Sequence, residues 1–324
     1  MSPLVSVILP NYNYARYLPE RIESILNQEF QDFELIILDD ASTDNSVDIL
    51  QTYSKHPKVS HFVINQSNTG SPFAQWKKGL ELARGKYIWI AEADDSSTPL
   101  FLKKCVETME ANQDVVLCFT GCTVVNQNNE VIQRDYTIWK GKRMEKRIGD
   151  IVVHDGAEYI VHNMYWGCYV YNASATLFRR SYVTANMLEE SAKMRNSGDW
   201  LFWTKLMGKG KVAEIYEVLN VLRRHDNNVT ENGYKSGNIC FEDIEVLKYI
   251  EDKYLVGAYR RIIRHGTFIK HIKRSDYPEE LKAKILATFY NRLGASKNEY
   301  KLERIHKILY NVIPGLMSMR RDRL

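Results

Sequence analysis

Short apolar runs alternate with segments of helical spacing along the first 120 residues of the chain. The runs are rich in Val, Ile and Leu, which is typical of strands that are covered on both faces. The segments between them place apolar residues three and four positions apart, which predicts helices. Strands are predicted at 5–9, 33–38, 59–65, 86–91 and 115–120, and helices at 17–27, 46–55, 73–83 and 99–112. One helix between successive strands predicts a mostly parallel α/β sheet with right-handed crossovers.

The fourth apolar run, residues 86–91, stops on three carboxylates. Glu92, Asp94 and Asp95 follow it almost directly. Like charges at the end of a buried strand repel one another and are costly to bury, so we expect a cation to compensate them. In an open α/β sheet, the carboxyl ends of the strands are also where ligands bind.

Two more polar loops follow predicted strands. Pro10-Asn-Tyr-Asn13 comes after the first strand, and Asp39-Asp40-Ala-Ser-Thr-Asp44 comes after the second. Three such loops at one edge of the sheet predict a site for a charged ligand. The chain has neither a G-x-G-x-x-G nor a G-x-x-x-x-G-K-[ST] motif, so the usual dinucleotide and P-loop interpretations are unsupported.

The pattern changes after residue 121. Strands are expected at 171–180 and 212–222, and an aromatic-rich helix is expected to begin at Asp199. From about residue 240 onwards the spacing predicts helices, among them 241–254, 256–272 and 281–293. We therefore expect one α/β domain over residues 1–235, with halves 1–120 and 121–235, and a helical extension over residues 236–324.

Composition narrows the class of protein. The chain has 324 residues, of which 44% are hydrophobic and 26% charged, as expected of a globular protein. No uncharged apolar run reaches 18 residues, so no transmembrane helix is indicated. The five cysteines show neither secreted-type nor complete zinc-type spacing, which favours reduced thiols and a cytoplasmic location.

Five segments resemble, in order, those of the family 2 glycosyltransferases, and together they extend over about residues 4–230. They are Val5–Asn13, Phe33–Asp44, Gly85–Asp95, Ser197–Trp200 and Arg223–His225. The resemblance implies a GT-A fold, a nucleotide-sugar donor, a divalent metal (Mn or Mg) and a setting in bacterial surface-polysaccharide assembly. Three positions depart from the family's pattern. Glu92 stands where Asp is usual, Gly198 precedes Asp199, and Trp76 stands where Asn is frequent.

The resemblance assigns the donor-binding roles to the strand-end loops. Asp94 and Asp95 are expected to hold the metal, because a hard divalent cation takes carboxylate and phosphate oxygens together. Asp94 is therefore also expected to contribute to nucleotide binding. His225 is expected to reach the metal or the diphosphate, and Arg223 and Arg224 to hold phosphate oxygens.

The nucleotide itself is expected near the first two strands. Asp40 is assigned to hydrogen bonding with the base, and Pro10, Tyr12 and Asn13 to the base and ribose pocket. Tyr12 would act by stacking, although a place in the core is the open alternative for this residue.

Asp199 is the expected general base. A carboxylate that takes the proton of an attacking sugar hydroxyl lowers the barrier to transfer. The alternative is that Asp199 only caps the helix that follows it. With Asp199 as base, the expected reaction is inverting, metal-dependent transfer of a sugar to a glycan or lipid-linked acceptor hydroxyl. The donor is expected to be a nucleoside diphosphate sugar, with UDP as the expected nucleotide.

Two other functions stay open at this point. One is a catalytically inactive, glycosyltransferase-like nucleotide-binding module. The other is a sugar nucleotidyltransferase, which should carry a Gly-rich, basic phosphate loop after its first strand, and this chain has Pro10-Asn-Tyr-Asn13 there.

The tail is the most basic part of the chain. Residues 241–324 hold 18 Lys and Arg against 11 Asp and Glu, whereas residues 1–120 hold 10 against 16. Apolar residues from Leu302 to Ile313 lie near helical spacing with basic residues around them, as in a helix that lies in a membrane surface. Packing on the catalytic domain or on a second copy fits equally well. Peripheral contact with the inner face of the cytoplasmic membrane is thus an open expectation, and nucleic acid is not an expected partner.

Overall fold

The computed structural model describes residues 2–134, 148–225 and 229–312. By its internal contacts the chain divides into two compact units. The first comprises Met1–Gly156, Val170–Lys193 and Lys205–His225, and the second comprises Ala157–Tyr169, Met194–Thr204 and Asp226–Leu324. The predicted division into a domain over residues 1–235 and an extension over residues 236–324 stays a prediction.

Strands and helices alternate through the first half of the described chain. The strands are β1 (Val5–Asn11), β2 (Phe33–Asp39), β3 (Val59–Ile64), β4 (Tyr87–Ile90), β5 (Ser96–Ser97), β6 (Val115–Asn126), β7 (Val131–Gln133), β8 (Ile151–Asp155), β9 (Thr176–Arg179) and β10 (Lys211–Arg224). The helices up to β10 are α1 (Leu18–Leu26), α2 (Ser46–Tyr53), α3 (Pro72–Leu82), α4 (Phe101–Ala111), α5 (Gly156–His162), α6 (Ala185–Ala192) and α7 (Gly198–Met207). After β10 come α8 (Val229–Ser236), α9 (Asn238–Lys253), α10 (Ala258–Arg274), α11 (Glu279–Leu293) and α12 (Glu299–Val312).

The first unit is built on one sheet with the strand order β3-β2-β1-β4-β9-β6-β10-β5, to which β7 and β8 are added beside β6 and β10. β1 lies between β2 and β4 and runs parallel to both. All residues of β1, β2 and β4 are buried, which explains why their sequences are continuous apolar runs. The predicted α/β class and the parallel half of the sheet are confirmed.

The second half of the sheet is mixed. β9 runs antiparallel to both β4 and β6, while β10 runs parallel to β6. The predicted strand over 171–180 is shorter than expected, because a 3₁₀ turn at Ala173–Ala175 precedes β9. The pairing of a strand with a distant segment depends on tertiary packing, and a local pattern does not specify it.

The second unit is helical in its described residues. Its core contains Ile244, Leu247 and Ile269, which are fully buried, and Phe268 stacks on Phe289 with ring centroids 4.4 Å apart. Helices predicted at 241–254, 256–272 and 281–293 correspond to α9, α10 and α11. Across the described ranges, no helix has the length and apolar character needed to cross a membrane.

Candidate active site

The ends of β1, β2 and β4 bring the predicted loops together at one edge of the sheet. In the β1–β2 ladder, Asn11 pairs with Asp39, and in the β1–β4 ladder Ile8 pairs with Ile90. Because the three strands are parallel, their carboxyl ends face the same side. The polar residues that follow them therefore share one region of the first unit, as the sequence predicted.

The loops after β1 and β2 are tied to each other by side chains. Asp39 accepts hydrogen bonds from Asn11 Nδ2 at 2.7 Å and from Ser42 Oγ at 2.7 Å. Asn13 Oδ1 accepts from the amide of Thr43 at 2.7 Å. Asn13 and Ala41 both adopt positive φ, 60° and 61°, which is unusual for residues other than glycine. The two loops therefore hold a strained but well-bonded backbone at the edge of the sheet.

Asp40 is buried and its carboxylate is fully used inside the first unit. Its Oδ1 accepts from Asn65 Nδ2 at 2.6 Å and from Gln75 Nε2 at 2.7 Å, and its Oδ2 accepts from Thr69 Oγ1 at 2.8 Å. In this arrangement Asp40 orders the segment 65–75. The predicted hydrogen bond from Asp40 to a nucleotide base would require one of these contacts to be exchanged.

The three other residues predicted for the nucleotide pocket lie on the β1 loop. Pro10 is buried at the end of β1, and Tyr12 and Asn13 are exposed just beyond it. Tyr12 has 43% of its surface exposed, so the alternative that it belongs to the core is wrong. Its ring is available for stacking, whereas the side chain of Asn13 is engaged with the loop after β2.

Asp94 and His225 form a close pair. His225 Nε2 lies 3.1 Å from Asp94 Oδ2, and the imidazole is 6% exposed. The ring of Tyr17 stacks on His225 with centroids 6.0 Å apart, and Tyr14 meets the imidazole edge-on at 5.5 Å. Within the described chain, no residue donates a hydrogen bond to Asp94 Oδ1. One oxygen of Asp94 is thus available to a ligand.

Asp95 is more deeply embedded than Asp94. Its Oδ2 accepts from Ser174 Oγ at 2.7 Å, and its Oδ1 accepts from the amide of Arg223 at 3.1 Å. Burial, together with the neighbouring negative charge of Asp94, raises the pKa of Asp95. Asp95 therefore joins the acidic loop to the 3₁₀ turn and to β10.

Arg223 lies at the end of β10, and its guanidinium is engaged inside the first unit. It is buried, and its guanidinium donates to the carbonyl of Asp94 at 2.8 Å, to Glu20 Oε2 at 2.9 Å and to Asn129 Oδ1. A guanidinium engaged in this way braces the acidic loop. Phosphate binding by Arg223 would require one of these contacts to be exchanged and stays a prediction. Arg224 points to the other face of β10, as alternation along a strand requires, and is exposed. Phosphate binding by Arg224 stays a prediction.

A buried arginine lies behind the acidic loop. Arg21 of α1 is fully buried, and its guanidinium lies 4.8 Å from the centre of the Trp89 ring. Among the residues that the structure describes, none accepts a hydrogen bond from any of its three guanidinium nitrogens. Burial lowers the pKa of Arg21 to about 10, while the negative charges of Asp95, Glu92 and Asp94 oppose that shift. Arg21 therefore supplies an internal positive charge to the acidic loop.

Glu92 and Trp76, two of the positions that depart from the family's pattern, contact each other. The indole nitrogen of Trp76 donates to Glu92 Oε1 at 2.8 Å. Burial and the charge of Asp94 raise the pKa of Glu92 to about 8, although the bond from Trp76 opposes this. Burial, together with the charges of Asp94, Glu92 and Asp95, raises the pKa of the Tyr14 hydroxyl. The crowded, buried carboxyl groups thus disfavour one another's ionised form.

The donor set at Asp94 fits a metal ion that is shared with a ligand. Over residues 2–134, 148–225 and 229–312, no three His, Cys, Asp or Glu side chains are grouped so that they could hold a metal alone. Asp94 and His225 offer one carboxylate and one imidazole. Mg²⁺ and similar cations commonly bind through one or two protein groups and complete their shell with phosphate oxygens and water.

Asp199 belongs to the second unit, in the first turn of α7. Its Oδ1 accepts from the amide of Trp200 at 2.7 Å, so it also serves the start of the helix. Burial raises the pKa of Asp199 to about 6, with Asp243 and Glu242 adding to the effect and the Trp200 amide opposing it. A carboxylate in this range can accept a proton near neutral pH.

Sequence reasoning missed two residues that complete the acidic region. The burial of Arg21 could have been predicted, because it lies three positions after Leu18 and four before Ile25 on the buried face of α1. A charge on such a face needs a partner. Ser174 donates a hydrogen bond to Asp95 and accepts one from the amide of Glu92. Nothing in the local sequence predicts this role. Ser174 belongs to a segment that reads as a strand and forms a turn.

Comparison with known proteins decides the family. The model of the family described as "Glycosyl transferase family 2" matches residues 6–184, which is more than half of the chain. This chain belongs to that family. It is a glycosyltransferase, as the sequence motifs predicted.

Two relatives match along most of their length. The glycosyltransferase TuaG of Bacillus subtilis, named for teichuronic acid biosynthesis, is 28% identical over 265 residues, which is 80% of this chain and 95% of TuaG. A glycosyltransferase of Haemophilus influenzae is 28% identical over 321 residues, 96% of this chain and 92% of that protein.

A solved structure shows the same fold. Residues 1–349 of TarS from S. aureus, crystallised with UDP-GlcNAc, superpose with a TM-score of 0.57 at 19% identity, over 90% of this chain and 72% of that one. The GT-A class expected from the motifs is therefore confirmed for the fold.

Proposed function

We propose that this glycosyltransferase moves a sugar, with inversion, from a nucleoside diphosphate donor to a hydroxyl of a glycan or lipid-linked acceptor. The reaction depends on a divalent cation, Mn²⁺ or Mg²⁺. The single observation that carries the proposal is the Asp94–His225 pair at the shared strand edge. In this pair Asp94 Oδ1 accepts no hydrogen bond from a described residue and is available to a ligand. The buried guanidinium of Arg21 supplies positive charge to the same acidic loop.

The donor side is assigned to the first unit. Tyr12 stacks on the base, Pro10 and the Asn13 backbone border the ribose, and Asp40 acts by ordering the segment 65–75. Asp94 and His225 hold the cation, and Asp95 fixes the loop that carries Asp94. When bound, the cation neutralises the negative charge that develops on the departing diphosphate. A UDP-linked donor is supported by the crystallisation of TarS with UDP-GlcNAc.

The acceptor side is assigned to Asp199. As the acceptor oxygen bonds to the anomeric carbon, the bond from that carbon to the diphosphate oxygen breaks, and its electron pair leaves with the diphosphate. The hydroxyl proton passes to Asp199. A single displacement of this kind inverts the anomeric centre. The name of TuaG, which refers to teichuronic acid, supports a polysaccharide as the acceptor class.

A thermal-shift screen of nucleotide sugars with Mn²⁺ and with EDTA tests the donor half of the proposal. A bound donor stabilises the folded state, by about 2.7 kcal/mol at a hundred times its dissociation constant. We expect a rise in Tm that needs both the nucleotide and the metal, and that Asp94→Asn removes. Asp48→Asn, on α2, is the matched control and should keep the shift. No shift with any nucleotide would contradict the proposal.

The acceptor half of the proposal is tested by measuring transfer of sugar from donor to acceptor. Donor-derived label should appear in acceptor with wild-type protein and not with Asp199→Asn. Metal-dependent nucleotide binding without transfer to any acceptor would instead support the inactive binding module.

A further inference from the structure

Helix α12 buries polar side chains and exposes apolar ones, the reverse of an ordinary surface helix. Such a helix buries its apolar stripe and exposes its charges. Over residues 299–309 of α12, where the structure describes side-chain burial, Glu303 and His306 are buried and Glu299 is half-buried, whereas four aliphatic residues are exposed. Their exposed fractions are 45% for Leu302, 53% for Ile305, 66% for Ile308 and 43% for Leu309. Ile305 lies three positions after Leu302, and Ile308 and Leu309 lie three and four positions after Ile305. These four residues are called here the α12 stripe.

Polar contacts with α10 fix this orientation. Glu303 lies 3.2 Å from Lys270 Nζ, Glu299 lies 3.0 Å from His265 Nδ1, and His306 contacts the hydroxyl of Tyr259. The helices also approach closely at Gly266, where an added Cβ would come within 2.5 Å of the Glu303 Cβ. Rotating α12 to bury its stripe would break all of these contacts. The exposure of the stripe is therefore built into the packing of the second unit.

The charges that α12 shows to solvent are all of one sign. Lys301, Arg304 and Lys307 are exposed, while both carboxylates of the helix are turned towards α10 and are paired there. Lys273, at the end of α10, extends the positive region, because its Nζ lies 4.6 Å from the Tyr300 ring centre and Arg304 lies 6.0 Å from the same ring. Positively charged side chains thus border the α12 stripe.

We propose that the α12 stripe lies in the surface of an anionic phospholipid bilayer. Aliphatic side chains on one face of a helix enter the boundary between headgroups and acyl chains, and lysines and arginines beside them meet the negative headgroups. A second copy of the chain is a poorer occupant. A two-fold interface on this stripe would bring Lys301, Arg304 and Lys307 towards their own counterparts, and like charges oppose that association.

The test is sedimentation of the full chain with vesicles of phosphatidylglycerol and, separately, phosphatidylcholine. We expect binding to phosphatidylglycerol that weakens as salt is added, and little binding to phosphatidylcholine. The double variant Ile305→Asn/Ile308→Asn should lose at least tenfold in apparent affinity, since it removes apolar surface that would enter the bilayer. Lys301→Glu/Arg304→Glu should also lose at least tenfold, because each basic residue near an anionic surface contributes about fivefold.

Matched variants away from the stripe control for general effects. Ile132→Asn removes an isoleucine of β7 that is 56% exposed, and Lys253→Glu reverses an exposed charge of α9. Both should bind vesicles like wild type. All variants should keep the wild-type Tm, because the altered side chains are exposed.

Three results would overturn the proposal. The first is no vesicle binding by wild type. The second is binding that the α12 variants leave unchanged. The third is a concentration-dependent dimer that the same variants dissociate while vesicles stay unbound, which would assign the stripe to a second copy. None of these outcomes depends on nucleotide-sugar binding, so failure here is distinguishable from failure of the proposed reaction.

Discussion

Arg21 gives the acidic loop a positive charge that belongs to the protein itself. Three carboxylates follow a buried strand, and the guanidinium behind them is fully buried and has no hydrogen-bond acceptor among the described residues. A charge so placed is stable only if the surrounding field favours it. The negative loop and the buried arginine therefore stabilise each other.

Replacing Arg21 tests this relation. In metal-free buffer, Arg21→Met should lower the free energy of unfolding by about 3 kcal/mol, since it leaves buried carboxylates without a cation. The pKa values of Glu92 and Asp95 are already raised in the folded state, so their ionisation destabilises the fold increasingly as pH rises above about 4. The loss of unfolding free energy in Arg21→Met, relative to wild type, should therefore be larger at pH 8 than at pH 5.5.

Chemical denaturation at the two pH values measures the effect. Arg21→Lys should recover part of the loss, and Arg16→Met, an exposed arginine just before α1, should change stability by less than about 0.5 kcal/mol. If Arg21→Met matched wild type at both pH values, the internal charge would have no energetic role.

Asp199 carries a prediction about catalysis. Its pKa is raised to about 6, and a general base must be deprotonated, so kcat/KM should fall as pH drops through about 6. Asp199→Asn should reduce kcat by roughly 10²- to 10⁴-fold, the usual contribution of a general base. The measurement is a pH–rate profile with saturating metal.

Asp243 provides an informative control for that profile. Its charge raises the pKa of Asp199, so Asp243→Asn should move the acidic limb to lower pH while leaving the maximal rate close to wild type. An acidic limb that stays in place in Asp243→Asn, or substantial turnover by Asp199→Asn, would remove Asp199 as the base.

At the level of elements, the junction between α3 and β4 depends on the absence of a side chain. Gly85 donates its amide to Ser6 Oγ at 2.8 Å, and an added Cβ would come within 2.5 Å of the Ser6 amide nitrogen in β1. This close approach sets where β4 begins beside β1, and hence where the acidic loop lies at the strand ends.

Gly85→Ala should therefore lower the free energy of unfolding by roughly 1–3 kcal/mol, the usual cost of overpacking a well-packed site. Gly257→Ala is the control, because a Cβ there meets nothing within 4 Å and φ is already −56°. Urea unfolding of both variants gives the comparison. Equal midpoints for the two would show that the β1–β4 approach tolerates a methyl group.

The same elements show what could be predicted from sequence. The buried strands β1, β2 and β4 were predictable because an apolar run fully covered on both faces has a local signature. The contacts of Arg223 were not predictable, because its partners, Glu20 and Asn129, come from distant parts of the chain. Likewise, the orientation of α12 is set by Lys270 and His265, so spacing alone could not tell which face it buries.

At the level of the whole molecule, we propose that a cation held at Asp94 and His225, at the ends of the parallel strands, is required for the departure of the nucleoside diphosphate. The fold and family place the chain among glycosyltransferases, and the strand-end chemistry is what would make it an active one.

The most direct test is nucleoside diphosphate release from the donor, measured with acceptor present while Mn²⁺ is titrated into EDTA-treated protein. We expect release to be negligible without metal and to saturate with it. Asp94→Asn should lose at least 100-fold in kcat/KM, and Asp48→Asn should behave like wild type. Turnover that is equal with and without metal, or undiminished in Asp94→Asn, would contradict the claim.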